Sequence, residues 1–468
     1  MERLTALDAA FLEAEDSDSK VSLAIGALAI IDGPLPEYSA ILDSVSDRLA
    51  NVPRLTQVVR AKPLALSASE WVEDRDFNVL HHVRRAAVPQ PGDDKALFGV
   101  VADVMERRLD RHRPLWECWI IDGLRADRWA ILFKIHHCIA DGIAATHMLM
   151  ALADQEGSDT YVGRIRASKD AGRPGVRLPA LTVNPAVWAN RLWTTSTVLA
   201  SAAQHVVTGA VEIAGGLLDR NRSSLAGSVT GMRRCASTHV SLCEVARVCH
   251  AFDVTINDVA LAAVTDSYRA AMIRRGERPR PESLRTLVPV SVRTLEALGT
   301  IDNRVSAMLP CLPVDEQEPT RQLKTVHRRL TRAKRSGQTQ AGSLFVAAVN
   351  LLPFGVTAWG MRALAMLPQR GVVTVVTNIP GPRQPLQMLG QKVIRVVPIP
   401  PIALGLRTGI AIVSYAESLV FGITADYEAV PDIDELAAGI GRAIMRLSAL
   451  SKSADQPTLN GSASPGGE

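Results

Sequence analysis

Trp129-Ala-Ile-Leu-Phe-Lys-Ile135 is a largely apolar, strand-forming run, and it stops against His136-His137-Cys138-Ile139-Ala140-Asp141-Gly142. Seven such residues ending abruptly in polar, turn-prone ones predict a buried strand that delivers its C-terminal end to a loop. Gly142 then opens a helical apolar pattern over residues 143–152. A side chain in a strand-to-helix loop can be held rigidly at the edge of a cleft, and histidine there suits proton transfer. Its ordinary pKa of about 6.5 leaves it mostly neutral, yet basic, near pH 7. His136 and His137 are both candidates for the general base, and Asp141 lies close enough to brace the loop or to pair with an arginine elsewhere.

Outward from this stretch, residues 21–31 and 119–121 read as further strands. Residues 38–49 and 97–109 repeat apolar side chains at helical spacing, among them Ile41, Leu42, Val45, Leu97, Val101 and Met105. Alternation of this kind predicts an α/β sandwich. From residue 154 to about 183 the chain turns polar and rich in Gly and Pro, which marks a crossover. The second half repeats the α/β character. Helices are expected at 242–252 and 258–274, and strands at 284–290, 303–312, 372–377, 393–397, 409–415 and 419–426. A closing helix is expected at 433–450. The division is therefore a first domain at 1–155, a crossover with helices at 156–235, a second domain at 236–452, and a disordered Ser/Gly/Pro-rich tail at 453–468.

Of the 468 residues 47% are hydrophobic and 21% charged, and the formal net charge is only +4. Such a chain can bury large cores, and its charge balance with 4% aromatics argues against nucleic acid as a partner. The six cysteines contain no CxxC pair, so neither a zinc site nor a disulfide framework is expected, and no metal is called for. Acids within the first sixteen residues speak against a signal peptide, which places the protein in the cytoplasm.

Four further runs carry a resemblance. Leu4-Thr-Ala-Leu-Asp-Ala-Ala-Phe11-Leu12 opens the chain, Pro114-Leu115-Trp116 precedes the histidines, Asn257-Asp258 follows Thr255-Ile256, and Thr377-Asn378-Ile379-Pro380-Gly381-Pro382 lies near the C-terminus. HHxxxDG resembles the motif of coenzyme A-dependent acyltransferases and condensation domains. The ordered set resembles the bacterial wax ester synthase/acyl-CoA:diacylglycerol acyltransferase family, closest in pattern to its triacylglycerol-forming branch. The resemblance implies two chloramphenicol-acetyltransferase-like domains with a substrate tunnel between them. It also implies acyl transfer from acyl-CoA, as co-substrate rather than cofactor, to diacylglycerol.

By the same resemblance His137 is the base and Asp141 is structural, with Arg54 or Arg304 as its partner. Asn257 shapes the site or holds the oxyanion, Gly142, Thr377 and Asn378 contact substrate, and Pro114 and Trp116 are architectural. Alternatives stay open: a wax ester synthase using long-chain alcohols, a condensation-domain-like enzyme, or a non-catalytic lipid binder. His136 with Asp141 also satisfies Hx4D, in which the first histidine would be the base. His81-His82 lacks a following Asp-Gly, lies within residues 79–83 that read as a strand, and reads as structural. No GxSxG elbow and no GxxxxGK[ST] loop occurs.

Between residues 321 and 335 stand seven cations and no acid, followed by an uncharged stretch at 343–360. Together they predict attachment to an anionic membrane or lipid-droplet surface. A solvated helix face beside a core segment is the competing reading.

Overall fold

The computed structural model describes residues 2–49, 52–60, 69–139, 153–154, 223–291, 305–335, 371–403 and 405–454. Asp141, Gly142, Arg304, the helix expected after Gly142, the crossover as far as residue 222, the uncharged stretch 343–360 and the tail beyond 454 lie outside these residues.

The first sheet runs β13 (Gln387–Met388), β14 (Gln391–Ile399), β2 (Ala24–Asp32), β7 (Arg128–His136), β6 (Trp116–Leu124) and β5 (Val83–Ala87). Its two central strands, β2 and β7, are buried along almost their whole length. Both faces of the sheet are covered, which is why residues 129–135 read as a continuous apolar run rather than an alternating one. Helix α3 (Asp94–Glu106) carries Leu97, Phe98, Val101 and Met105 into this core. Helix α2 (Tyr38–Leu49) adds Ile41 and Val45. A small sheet of β1 (Glu2–Arg3), β4 (Glu70–Glu73) and β3 (Gln57–Arg60) lies apart from it.

The second sheet runs β10 (Val305–Met308), β9 (Leu284–Ser291), β12 (Thr374–Ile379), β15 (Thr408–Tyr415), β16 (Ser418–Asp426) and β8 (Arg233–Ser241). Helices α4 (Leu242–Phe252), α5 (Ile256–Arg274), α6 (Pro319–Arg335) and α7 (Ile433–Ala454) pack with it into a second core. α5 is buried almost all round from Val259 to Val264, so its local pattern is uniformly apolar rather than amphipathic.

Two expected elements differ. The strand read over 303–312 is two pieces, β10 on one end of β9 and β11 (Cys311–Leu312) on the other. Pro310 lies between them, and having no N–H it cannot extend the ladder. The strand read over 79–83 is a 3-10 turn, Val79–His81, and β5 begins only at Val83.

The chain of the second half returns to the first sheet. After β12 it crosses through Pro380-Gly381-Pro382 and lays β14 antiparallel on β2, with Val396 opposite Ala29 and Ile399 opposite Gly26. Two glycines make the crossing possible. A Cβ on Gly381 would lie 2.1 Å from the Ser414 carbonyl oxygen, and one on Gly422 of β16 would lie 1.7 Å from the Pro398 carbonyl oxygen. Backbone meets backbone at both points, so a side chain at Gly422 would push the two sheets apart and one at Gly381 would lift the crossover off β15.

Candidate active site

β7 ends in a tight turn whose backbone is tied on both sides. The His136 N–H donates to the Leu115 carbonyl at 2.9 Å, and the His137 N–H to the Leu23 carbonyl at 3.0 Å. Ile139 N–H closes the turn onto the His136 carbonyl at 2.9 Å. The Cys138 N–H donates to His136 Nδ1 at 3.1 Å. A ring nitrogen that accepts carries no proton, so in the neutral imidazole the proton sits on Nε2. Nε2 faces Glu15 Oε2 at 3.4 Å, and both side chains are 1% exposed.

Glu15 belongs to α1 (Ala6–Ser17), whose start is fixed by a capping box between Thr5 and Asp8. Its carboxylate takes the Leu23 N–H on Oε1 at 2.9 Å and Arg111 on Oε2 at 2.6 Å. Burial alone would raise this carboxyl. The His136 imidazole, the Leu23 amide and the Arg111 guanidinium outweigh it and hold the group at about 2. His136 is pushed below its ordinary value, first by burial, against the pull of Glu15. It is therefore a neutral, enclosed ring with one nitrogen accepting and the other facing a carboxylate. That is the chemistry of a brace, and taking up a substrate proton would require breaking the turn.

His137 is placed differently. Its side chain is half-buried, and its ring stacks on Phe11 of α1 with centroids 4.2 Å apart and planes 26° apart. Phe11 and Glu15 are one helical turn apart and so share a face of α1. One short helix thus seats both histidines. Neither Glu15 nor Arg111 stood among the residues singled out in the sequence, and Phe11 entered only as part of the opening run Leu4–Leu12.

Cys138 is buried, and burial pushes its thiol well above the usual range, so it is a protonated, inert sulfur rather than a nucleophile. Arg54 and Asp8 both lie near enough to act electrostatically on Cys138. Arg54 donates to Gln57 Oε1 at 3.0 Å and lies over the Trp71 ring at 4.4 Å.

Pro114 and Trp116 are buried under the site. The Trp116 indole N–H donates to the Leu55 carbonyl at 2.8 Å, and its ring stacks on His82 at 4.5 Å. His82 Nδ1 in turn bonds the Trp116 carbonyl at 2.8 Å, and burial lowers its pKa, which makes it a core histidine.

Asn257 sits half-buried in the first turn of α5. Its neighbour Asp258 is buried and fully engaged. Oδ2 accepts from the Thr255 N–H and hydroxyl, both at 2.8 Å, and from His327 Nδ1 of α6 at 2.8 Å. The aspartate of this pair therefore caps α5 and ties it to α6. Thr377, half-buried, and Asn378, exposed, end β12 opposite Ala411 and Ile412, directly before the crossover.

Residues 4–260 match the model of the wax ester synthase/diacylglycerol acyltransferase catalytic domain, and residues 301–448 that of the WS/DGAT C-terminal domain. A Mycobacterium tuberculosis protein named a probable diacylglycerol O-acyltransferase (tgs1) is 52% identical over 97% of both chains. A second relative from that organism, also named as a diacylglycerol O-acyltransferase, is 42% identical over 96% of this chain and 92% of its own. Among solved structures, the wax ester synthase/diacylglycerol acyltransferase of Marinobacter aquaeolei VT8 superposes with a TM-score of 0.67 at 22% identity, covering 96% of this chain and all of the other. A condensation domain of the calcium-dependent antibiotic synthetase gives 0.61 at 14% identity over 97% and 96% of the two chains. These two likenesses speak for the fold.

Proposed function

Because this chain belongs to the wax ester synthase/diacylglycerol acyltransferase family, we propose that it moves a long-chain acyl group from acyl-CoA to diacylglycerol, with His137 as general base. The observation that carries the assignment is the asymmetry of the histidine pair. His136 is 1% exposed, with its Nδ1 taken by the Cys138 amide, whereas His137 is half-buried and stacked on Phe11.

In the proposed reaction both substrates are bound together. The His137 imidazole takes the proton of the acceptor hydroxyl as its oxygen attacks the thioester carbonyl. The tetrahedral intermediate collapses, the carbon–sulfur bond breaks, and the imidazolium returns the proton to the departing thiolate. The products are triacylglycerol and free coenzyme A. Direct attack by the alcohol needs no acyl-enzyme, in keeping with the raised pKa of Cys138.

Long-chain alcohols are the second acceptor class, favoured by the family's own description. Labelled oleoyl-CoA offered with diolein, hexadecanol or water separates the readings. Label in triacylglycerol is expected. Tight lipid binding without transfer to any acceptor would sink the enzyme reading.

Diacylglycerol resides in lipid, so the protein must meet a lipid surface. Among the described residues no single helix is long and apolar enough to cross a membrane. α6 supports peripheral attachment instead. It buries Leu323, Val326, Leu330 and Ala333 and exposes Arg321, Lys324, Arg328 and Arg332. The spacing puts these cations along one stripe, in which Arg321 lies beside Glu318 at the start of the helix. Such a stripe suits anionic headgroups in the cytoplasmic leaflet. Arg329 of the same run donates to the Pro281 and Cys311 carbonyls and belongs to the fold.

A further inference from the structure

Where the crossover passes from the second sheet to the first, it leaves a pocket of about 500 Å³. Arg383, just after Gly381-Pro382, stands on one side. Lys392 and Arg395 of β14 stand on another, and the β15–β16 turn closes it with Glu417. Tyr415 and Val420, both buried, form its apolar floor.

The charges of this pocket do not balance. Arg395 is bound to Asp94 of α3 at 2.8 Å, but Arg383 and Lys392 have no acidic partner among the described residues. Glu417 is the one carboxylate in the lining. Two exposed cations without an acidic partner in the lining of a concave, partly apolar site leave a field that a compact anion would satisfy. The volume is that of a small-molecule site and too small for a folded partner. A guanidinium and an ammonium together match phosphate oxygens, one as a planar fork and the other as a point charge.

The pocket is remote from the histidines. Val393 of its lining is in register with Ile31 and Trp129, seven residues along β7 from His136. At the usual rise per residue that is about 23 Å along the strands. The long arm of a coenzyme A thioester puts a separation of this order between its sulfur and its phosphates, and a free phosphate could reach the site equally.

We propose that this pocket binds a phosphate-bearing anion through Arg383 and Lys392. The test is calorimetric titration of the full chain with coenzyme A and, separately, with inorganic phosphate. Wild type is compared with the double variant Arg383→Gln, Lys392→Gln, and melting curves check the fold. Neither titration depends on turnover, so failure of the acyl-transfer reading leaves the measurement intact. If the phosphates of coenzyme A are the occupant, the variant binds it about tenfold or more weakly, as loss of charge-assisted hydrogen bonds predicts. If free phosphate is the occupant, binding of inorganic phosphate falls by that factor and coenzyme A affinity holds. Equal binding of both probes by a folded variant, or no binding of either by wild type, overturns the proposal.

Discussion

Glu15 Oε2 lies 3.4 Å from His136 Nε2 with both side chains sealed from water, so the ionic state of an N-terminal helix is coupled to the turn that presents His137. The carboxyl sits at about 2 in the folded chain against an ordinary 4.5. A depressed carboxyl contributes stability that is fully present above the unfolded value and is lost as pH falls towards the folded one. That contribution is lost between about pH 4.5 and 2. Glu15→Gln should therefore flatten the fall in urea midpoint across this window relative to wild type. Parallel curves for the two proteins would contradict the coupling.

Phe11→Ala should leave the Glu15 contacts in place and remove the ring against which His137 is stacked. A half-buried aromatic truncated to alanine costs at most about 3 kcal/mol. The expected signature is a fall in kcat larger than any rise in acyl-CoA KM, since a mispositioned base weakens the transition state more than substrate binding. A change confined to KM would assign Phe11 to the substrate path instead.

The two residues of the Asn257-Asp258 pair should separate cleanly. Asp258→Ala removes a carboxylate that accepts from Thr255 twice and from His327, and should destabilise the fold by about 2–3 kcal/mol in denaturant titration. Asn257→Ala should leave the denaturation midpoint near wild type while lowering turnover. The reverse pattern would exchange their roles.

Lys134, two residues before the histidine pair, is fully buried, and its ammonium donates to the Val104 carbonyl at 2.7 Å and to that of Arg107 at the end of α3. Burial lowers its pKa to about 8 from 10.5. The unfolded chain then binds the extra proton between those values, so this group makes stability rise with pH across about 8 to 10.5. Buried thiols and Tyr268 act in the opposite sense, so the informative quantity is wild type minus Lys134→Met. That difference should grow with pH over the window. A flat difference would refute the assignment.

Reversing Arg321, Lys324, Arg328 and Arg332 to glutamate should release the protein from anionic liposomes in flotation, while turnover of detergent-dispersed diolein holds. Unchanged flotation would remove the electrostatic attachment.

What was legible in the sequence follows from how local each feature is. β7 and its histidines could be read because a strand buried on both faces writes an uninterrupted apolar run, and the helices of the second half likewise. The return of β14 to the first sheet could not. It depends on pairing residues 393–399 with 26–31, and the two glycines that permit it look like ordinary loop and strand glycines until Ser414 and Pro398 are seen against them. Glu15 was hidden for a similar reason, since its partners come from residues 23, 111 and 136. A carboxylate one turn from a phenylalanine on an otherwise buried helix face was the available sign. The basic run of α6 shows the same limit of local reading, because charge density alone does not separate Arg329, which holds the fold, from Arg328, which faces solvent.

The base itself is tested most directly by turnover of oleoyl-CoA with diolein in two folded variants. His137→Ala should lower kcat by about 10²–10⁴-fold with its melting temperature kept. His136→Asn, whose side-chain oxygen can still accept the Cys138 N–H, should lose stability but retain most of its turnover per folded molecule. An active His137→Ala beside a folded, inactive His136→Asn would contradict the account and make His136 the base.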